Sequence, residues 1–406
     1  MLSKIIEKLE ILLFFSYIVL VYIFGGDADT TYYYAIVIFV LFIIELFKMI
    51  KTKRIKWNIV ISILLIFTFY CLLSSFWAEY PEKAINRAKT LAILSIFLIV
   101  SFNMFMSIKN SYEILLKLIL WAGFTFSIYI ICYYNPINYF NLLITGKRIG
   151  AEISNVNLIG LQTSISVLIA LFFATFKDKR YYLVLILPLI VALGTGSRKA
   201  LITIILGFVA VLLMKFKSKI TLKNVISLFV YIIAFIIIMN ILLKIDIFSS
   251  AFSRFENMIN AYINNDSGDS SIEERNLFIT SGIEAFKNNP IFGLGAGNSN
   301  IVTYALVGKN TYLHNNFVEL LATLGVIGFC IYYYIYIYLV FKYAKMLKDN
   351  YSNYLLFSII FFMIILILDY GVVSYYSKST YIYFLYGILI LNEYKNRKEI
   401  NYEKGK

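Results

Sequence analysis

The chain has 406 residues, of which 61% are hydrophobic and 15% are charged. Soluble domains carry about 25% charged residues. This composition, with a mean hydropathy of +0.79, therefore excludes an ordinary soluble protein and indicates an integral membrane protein. The formal net charge of +14 does not indicate a nucleic-acid-binding protein, because the basic residues are scattered over short loops and form no stripe or known module.

Long apolar runs follow one another along the chain, and each is continuous rather than alternating. A helix needs about 20 apolar residues to cross a bilayer, and in lipid only helices and closed barrels satisfy every backbone group. The runs predict an all-α polytopic membrane protein with about 12 transmembrane helices. The spans are expected near residues 9–24, 32–50, 57–76, 90–106, 112–134, 154–176, 181–194, 200–214, 222–248, 314–341, 353–370 and 377–391.

The basic residues between the spans predict their orientation. If the N-terminus is cytoplasmic, "KMIKTKRIK" (48–56), "KDKR" (177–180), "KFKSKITLK" (215–223) and "KYAKMLK" (342–348) all lie in cytoplasmic loops, as the positive-inside rule requires. The C-terminus, with its basic residues, is then cytoplasmic as well. We expect a multi-pass protein with both termini in the cytoplasm.

These spans predict four parts of the chain. Residues 1–248 hold the first nine spans, and residues 249–313 form one large extracytoplasmic loop before the tenth span. Residues 314–391 hold the last three spans, and residues 392–406 form a basic cytoplasmic tail.

The large loop contains one predicted helix and one predicted turn. "EERNLFITSGIEAFKNN" has apolar residues at helical spacing and predicts an amphipathic helix, with Ser270 or Ser271 as its N-cap. Pro290 ends this helix, and the glycines of "NPIFGLGAGNSN" predict a tight turn. The turn is not a nucleotide-binding motif, because no strand precedes it and no Lys-Ser/Thr pair follows it.

The arginines depart from the topology that most lysines follow. Arginines on the outer side by this topology are Arg87, Arg148, Arg198, Arg254 and Arg275. A guanidinium offers a planar fork of donors that binds phosphate or carboxylate with two hydrogen bonds. The alternatives are pairing with acidic neighbours, as between Arg275 and Glu273 or Glu274, and snorkelling at the end of a span, as for Arg198. We expect an anionic substrate at the outer face.

The only histidine, His314, lies where a polar loop meets an apolar run. In "TYLHNNFVELLATLGVIG" it precedes the tenth predicted span, at a helix N-terminus, where the helix dipole disfavours the imidazolium form. A neutral imidazole could act there as a general base, and Asn315 beside it could hydrogen-bond a polar ligand. The alternative is an amphipathic histidine at the membrane interface without a catalytic role.

The segment "HNNFVELLATLGVIG" (314–328) resembles the O-antigen ligase and polymerase superfamily, whose pattern is His-Asn, nine residues, Gly, two residues, Gly. Its matching positions are His314, Asn315, Gly325 and Gly328. Other segments resemble the family in the expected order: "SSFWAEYPEKAINR" (74–87), "KRIGAEISNVNLIG" (147–160), "GTGSRKALI" (194–202) and "ERNLFITSGIEAFKNNPIFGLGAGN" (274–298). The chain departs from the family at Val156, where proline is common, and at Phe278, where tryptophan is frequent.

The resemblance implies a GT-C-like glycosyltransferase of the bacterial cytoplasmic membrane with an extracytoplasmic active site. In this family a histidine at the position of His314 activates an acceptor hydroxyl. Arginines matching Arg198 and Arg275 bind the diphosphate of an undecaprenyl-linked glycan. Further candidates for substrate binding are Lys199, Arg148, Arg87, Asn315 and Asn157. Because no Asp/His cluster with metal-ligand spacing lies on the outer face, we expect a metal-independent reaction without a cofactor.

Three functions are compatible with these motifs. The first is a polymerase that joins undecaprenyl-diphosphate-linked repeat units into O-antigen or capsular polysaccharide. The second is a ligase that transfers the same glycan to lipid A core or another acceptor, and the third is a flippase or transporter of the lipid-linked glycan. A transporter should have pseudo-symmetric halves and charged or broken helices near the midplane, whereas the ionisable residues here cluster at one face.

We favour the polymerase. Its expected partners are the undecaprenyl-diphosphate-linked oligosaccharide, membrane lipids, a flippase and a chain-length regulator, with no nucleic acid.

Overall fold

The computed structural model describes residues 2–25, 30–53, 55–145, 147–216, 270–308 and 310–404. In these ranges the chain forms helices and no strand. The α-helices are α1 (Leu2–Phe24), α2 (Thr31–Thr52), α3 (Ile59–Leu73), α4 (Pro81–Phe105), α5 (Ser111–Tyr133), α6 (Pro136–Ile144), α7 (Val156–Phe176), α8 (Tyr181–Gly194), α9 (Arg198–Phe216), α10 (Ser270–Asn288), α11 (Asn300–Val307), α12 (Asn316–Asp349), α13 (Asn353–Leu368) and α14 (Lys378–Lys404). A short 3-10 helix, Ser74–Phe76, follows α3. The predicted span 222–248, the first part of the large loop and Arg254 lie outside the described residues.

Six helices within the described ranges are long and apolar enough to cross a membrane: α2, α3 with its 3-10 extension, α4, α5, α7 and α12. Helices α8 and α13 are apolar but shorter, with 14 and 16 residues. The all-helical, multi-pass character predicted from the sequence is therefore confirmed. The described residues support six spans, and the predicted total of twelve is not confirmed.

Two helices begin where the apolar pattern did not place them. Helix α4 starts at Pro81, well before the predicted span at 90, because a proline at the first helical position and Glu82 in the first turn favour a helix N-terminus there. Arg87 consequently lies on a helix rather than in a loop. Helix α6 starts at Pro136 after Asn135, whose side chain accepts a hydrogen bond from the backbone N–H of Ile137.

The chain divides into two compact units. The first contains Met1–Phe39 and Glu113–Gly268, and within it α7 packs against α8 and α9. The second contains Val40–Tyr112 and Asp269–Lys406, and within it α3 packs on α4 while α12 contacts α3, α10 and α13. The predicted site residues fall in both units.

In the second unit, α12 is broken at Gly325. This glycine has φ 61° and ψ −169°, outside the helical region. A side chain could not replace its hydrogen, since a Cβ at Gly325 would lie 2.2 Å from the carbonyl oxygen of Ile291. The glycine turn that follows Pro290 therefore passes directly against the break.

The glycine turn, residues 290–297, supplies partners for the backbone groups that the break exposes. Backbone bonds across the break are Leu294 N–H to Ala322 O at 2.9 Å, Gly295 N–H to Thr323 O at 2.8 Å and Val326 N–H to Pro290 O at 2.9 Å. The Tyr70 hydroxyl donates to Leu324 O at 3.0 Å. As predicted, Pro290 follows the loop helix, and Gly293, Gly295 and Gly297 have positive φ angles. The glycine turn and the first turns of α12 thus form one structural piece.

Candidate functional site

His314 lies one residue before the N-cap of α12, as the sequence predicts. Its φ is 58°, in the left-handed region. The ring stacks on Phe278 with centroids 5.9 Å apart and an interplanar angle of 9°, and it lies 4.3 Å from the ring of Tyr312. A left-handed conformation costs a non-glycine residue about 1–2 kcal/mol, so the surrounding structure must hold this turn in place.

Glu319 holds the backbone immediately before the histidine. One carboxylate oxygen, Oε2, accepts from the backbone N–H of Leu313 at 2.9 Å, and the other, Oε1, accepts from the hydroxyl of Ser299 at 2.7 Å. The side chain is fully buried, with 0% exposure. Glu319 therefore joins Ser299 at the N-cap of α11, the residue before His314 and the first turn of α12.

Asn315 caps α12. Its side-chain oxygen accepts from the backbone N–H groups of Phe317 at 2.9 Å and Val318 at 3.1 Å, and the residue is buried. The oxygen is thus occupied by the helix cap, and a contact between Asn315 and substrate stays a prediction.

Asn316 ties the start of α12 to the loop between α13 and α14. Its side-chain oxygen accepts from the backbone N–H groups of Ser374 at 2.9 Å and Tyr375 at 3.2 Å. Its side-chain nitrogen donates to Tyr333 Oη at 2.8 Å and to Asp369 Oδ2 at 3.2 Å. The residues that flank the left-handed turn are therefore anchored on both sides.

Glu319 and Asn316 lie close to His314 in the sequence, but their role in holding the backbone around it was not predicted. Both are polar side chains near the start of a long apolar helix. A buried polar group needs a partner, so their positions are the one sequence signal that could have found them.

Arg275 lies half-buried near the start of α10. Its charge acts on Tyr312: burial raises the pKa of the Tyr312 hydroxyl, and the nearby Arg275 guanidinium partly offsets this rise in pKa. Arg275 therefore acts electrostatically on Tyr312, and Tyr312 in turn contacts the ring of His314. That Arg275 and His314 act on one substrate stays a prediction.

Arg87 is held by aromatic rings and by a buried carboxylate in the same unit. Its guanidinium carbon lies 3.5 Å from the ring centroid of Tyr376 and 5.6 Å from that of Tyr375. The guanidinium also interacts electrostatically with Glu319. Burial raises the pKa of the Tyr376 hydroxyl, and the Arg87 charge opposes that rise.

In the first unit, the structure brings Arg148 and Asn157 together. Arg148 Nε donates to the backbone oxygen of Thr195 at 2.9 Å, and its Nη2 donates to Asn157 Oδ1 at 3.3 Å. The Ser197 hydroxyl donates to the same Asn157 oxygen at 3.2 Å. We call these four residues the Arg148 corner.

Arg198 and Lys199 form the first turn of α9, directly after the Arg148 corner, and both are half-buried. Their roles in substrate binding stay predictions.

Comparison with protein families bears on the class. Residues 183–333 match the O-antigen ligase family. The matched region covers most of α8, all of α9, α10 and α11, and α12 through its break, and with them Arg198, Arg275 and His314. The resemblance to the O-antigen ligase and polymerase superfamily is thereby confirmed over these residues, and that family's activity is glycosyl transfer in general. No curated protein matches the chain in sequence.

Proposed function

We propose that the protein polymerises undecaprenyl-diphosphate-linked repeat units into O-antigen or capsular polysaccharide at the outer face of the cytoplasmic membrane. The observation that supports this proposal is the contact of the His314 ring with Tyr312, on which the Arg275 charge also acts. An imidazole can serve as a general base and a guanidinium as an anion-binding group.

The reaction needs one bond to form and one to break. The acceptor hydroxyl attacks the anomeric carbon of the donor glycan, the bond between that carbon and the diphosphate breaks, and the hydroxyl proton passes to the His314 imidazole. The electron pair leaves with undecaprenyl diphosphate. Arg275 offsets the negative charge that develops on this leaving group, and a positioned base contributes about 10²- to 10⁴-fold in rate.

The family match supports a ligase as the second candidate, since the matching family is described as O-antigen ligase. A ligase would use the same donor chemistry and differ only in the acceptor. The break at Gly325 does not favour the transporter, because the glycine turn already satisfies the backbone groups that the break exposes.

The decisive experiment replaces His314 with asparagine. Asparagine tolerates the left-handed backbone but cannot act as a general base. We expect His314→Asn to lower elongation of purified lipid-linked repeat units by about 10²- to 10⁴-fold. Binding of the lipid-linked donor should persist. The matched control is Tyr304→Phe on the exposed face of α11, which should elongate normally.

Gel analysis of the glycans in cells separates the outcomes. Single repeat units accumulating in the His314→Asn strain support the polymerase. Full-length polymer that stays on its lipid carrier identifies the ligase instead, and an unchanged length distribution on the final acceptor would rule out the general-base role.

A further inference from the structure

A cavity of about 440 Å³ lies in the second unit beside Tyr312. Its walls come from the first turns of α4, the start of α11, the segment before His314 and Tyr376. Small-molecule sites typically have about 300–1,000 Å³, so the cavity has room for a sugar ring. Tyr312 also contacts the ring of His314, so one of the residues that line this cavity touches the proposed base.

Two buried polar atoms on the cavity-lining side chains lack a hydrogen-bond partner among the described residues. They are Arg87 Nε, a donor, and Asn300 Oδ1, an acceptor. An unpaired buried polar atom costs about 1–3 kcal/mol, and native structures rarely leave one without a reason. The Arg87 guanidinium carbon lies 3.5 Å from the ring centroid of Tyr376, and this contact restrains the side chain at the cavity wall.

One unpartnered donor and one unpartnered acceptor together favour a ligand group that can both accept and donate a hydrogen bond, such as a hydroxyl. A sugar hydroxyl can accept from Arg87 Nε and can donate to Asn300 Oδ1. A fully ionised diphosphate has only acceptor oxygens, so it would leave Asn300 Oδ1 without a donor. Other lining side chains add hydroxyl and amide groups, from Asn86, Thr90 and Thr311.

We propose that this cavity binds a sugar ring of the acceptor glycan through its hydroxyl groups. The proposal rests on glycosyl transfer as the function of His314. Arg87 is then a glycan-binding residue rather than a second diphosphate ligand, and Arg275 is the guanidinium for the leaving group.

The test uses full-length protein in detergent and a probe without a leaving group. The probe is the oligosaccharide that mild acid releases from the lipid-linked glycans of the native host. Since it lacks the diphosphate, it can serve only as an acceptor. Its dissociation constant is measured by saturation-transfer NMR titration, with and without inorganic pyrophosphate.

Asn300→Ala removes the acceptor atom, and loss of one hydrogen bond should weaken probe binding by about 3- to 10-fold. Thr90→Val, at the exposed rim of the cavity, should weaken it in the same direction and does not disturb a buried position. The matched control, Asn288→Ala at the exposed end of α10, should bind the probe as the unmodified protein does. Thermal unfolding of each variant confirms that it is folded.

Each outcome decides the proposal. The proposal is supported if both cavity variants bind the probe more weakly and if pyrophosphate does not displace the probe. Absence of probe binding, equal affinity in the folded cavity variants, or displacement by pyrophosphate would overturn it, the last by assigning the cavity to the diphosphate. Because binding is measured without transfer, failure of the unmodified protein to elongate lipid-linked repeat units would overturn the proposed function while leaving the binding result intact. Normal elongation by His314→Asn would overturn only the general-base role of His314.

Discussion

The glycine turn at the break in α12 and the Arg148 corner both lie next to predicted substrate-binding residues, yet they are built differently. Backbone bonds and a fully buried carboxylate hold the glycine turn and the residue before His314. In the Arg148 corner, an exposed guanidinium donates to a backbone oxygen and to a side-chain amide oxygen. The first arrangement fixes a backbone position, whereas the second holds an exposed cation through its own side-chain hydrogen bonds.

Changes at the break should therefore have the largest effect on stability, and Gly325→Ala should give the largest loss. A Cβ at this position would lie 2.2 Å from the carbonyl oxygen of Ile291 and 2.4 Å from its carbonyl carbon. The alanine would also have to adopt a positive φ. We expect overpacking and left-handed strain together to destabilise the fold by about 3 kcal/mol or more. Thermal unfolding in detergent measures the loss.

Gly308→Ala is the matched control. Gly308 has a similar φ of 66°, but nothing lies within 4 Å of its Cβ position. The control should lose only about 1 kcal/mol, from left-handed strain alone. Equal losses in the two variants would mean that close packing at the break is unimportant.

The second prediction concerns the carboxylate next to the base. Glu319→Ala leaves the Leu313 N–H and the Ser299 hydroxyl without their acceptor, which should destabilise the fold by about 2 kcal/mol or more. The backbone before His314 would then shift, and a displacement of about 1 Å can lower kcat by about 10²-fold. Elongation kinetics with saturating lipid-linked donor measure this loss.

Glu319→Gln keeps one acceptor oxygen and should lie between the alanine variant and the unmodified protein in both stability and kcat. A purely structural carboxylate would change stability alone. If the Glu319→Ala variant elongates at the rate of the unmodified protein, the carboxylate does not position His314.

The sequence could predict features that local chemistry determines. The restricted backbone of Pro290 and the permissive backbone of the glycines after it favour a helix end and a turn from local sequence alone, so the loop helix and its turn were predicted. His314 before a long apolar run was likewise placed correctly at a helix start.

Features that depend on distant partners could not be predicted. Helical spacing predicted one apolar face on α10, but the apolar residues Leu277 and Ile283 are 50% and 39% exposed. Phe278 is buried, and it packs with Leu313, which precedes α12, and with Val318 in the first turn of α12. The break at Gly325 was also missed, because the bonds that stabilise it come from residues 290–295.

The smallest stability effect is expected in the Arg148 corner. Arg148→Lys loses the planar fork at an exposed position, so unfolding should change by no more than about 0.5 kcal/mol. If the guanidinium binds the donor diphosphate, a lysine point charge cannot reproduce its paired hydrogen bonds, and the KM for lipid-linked donor should rise by about 3- to 10-fold.

The control is Arg180→Lys. The Arg180 side chain is 87% exposed and pairs with neighbouring Asp178, so the KM of this variant should not change. An unchanged KM in Arg148→Lys as well would leave Arg148 only the function of bracing the chain at Thr195. The contrast with the α12 break would then be one of packing alone.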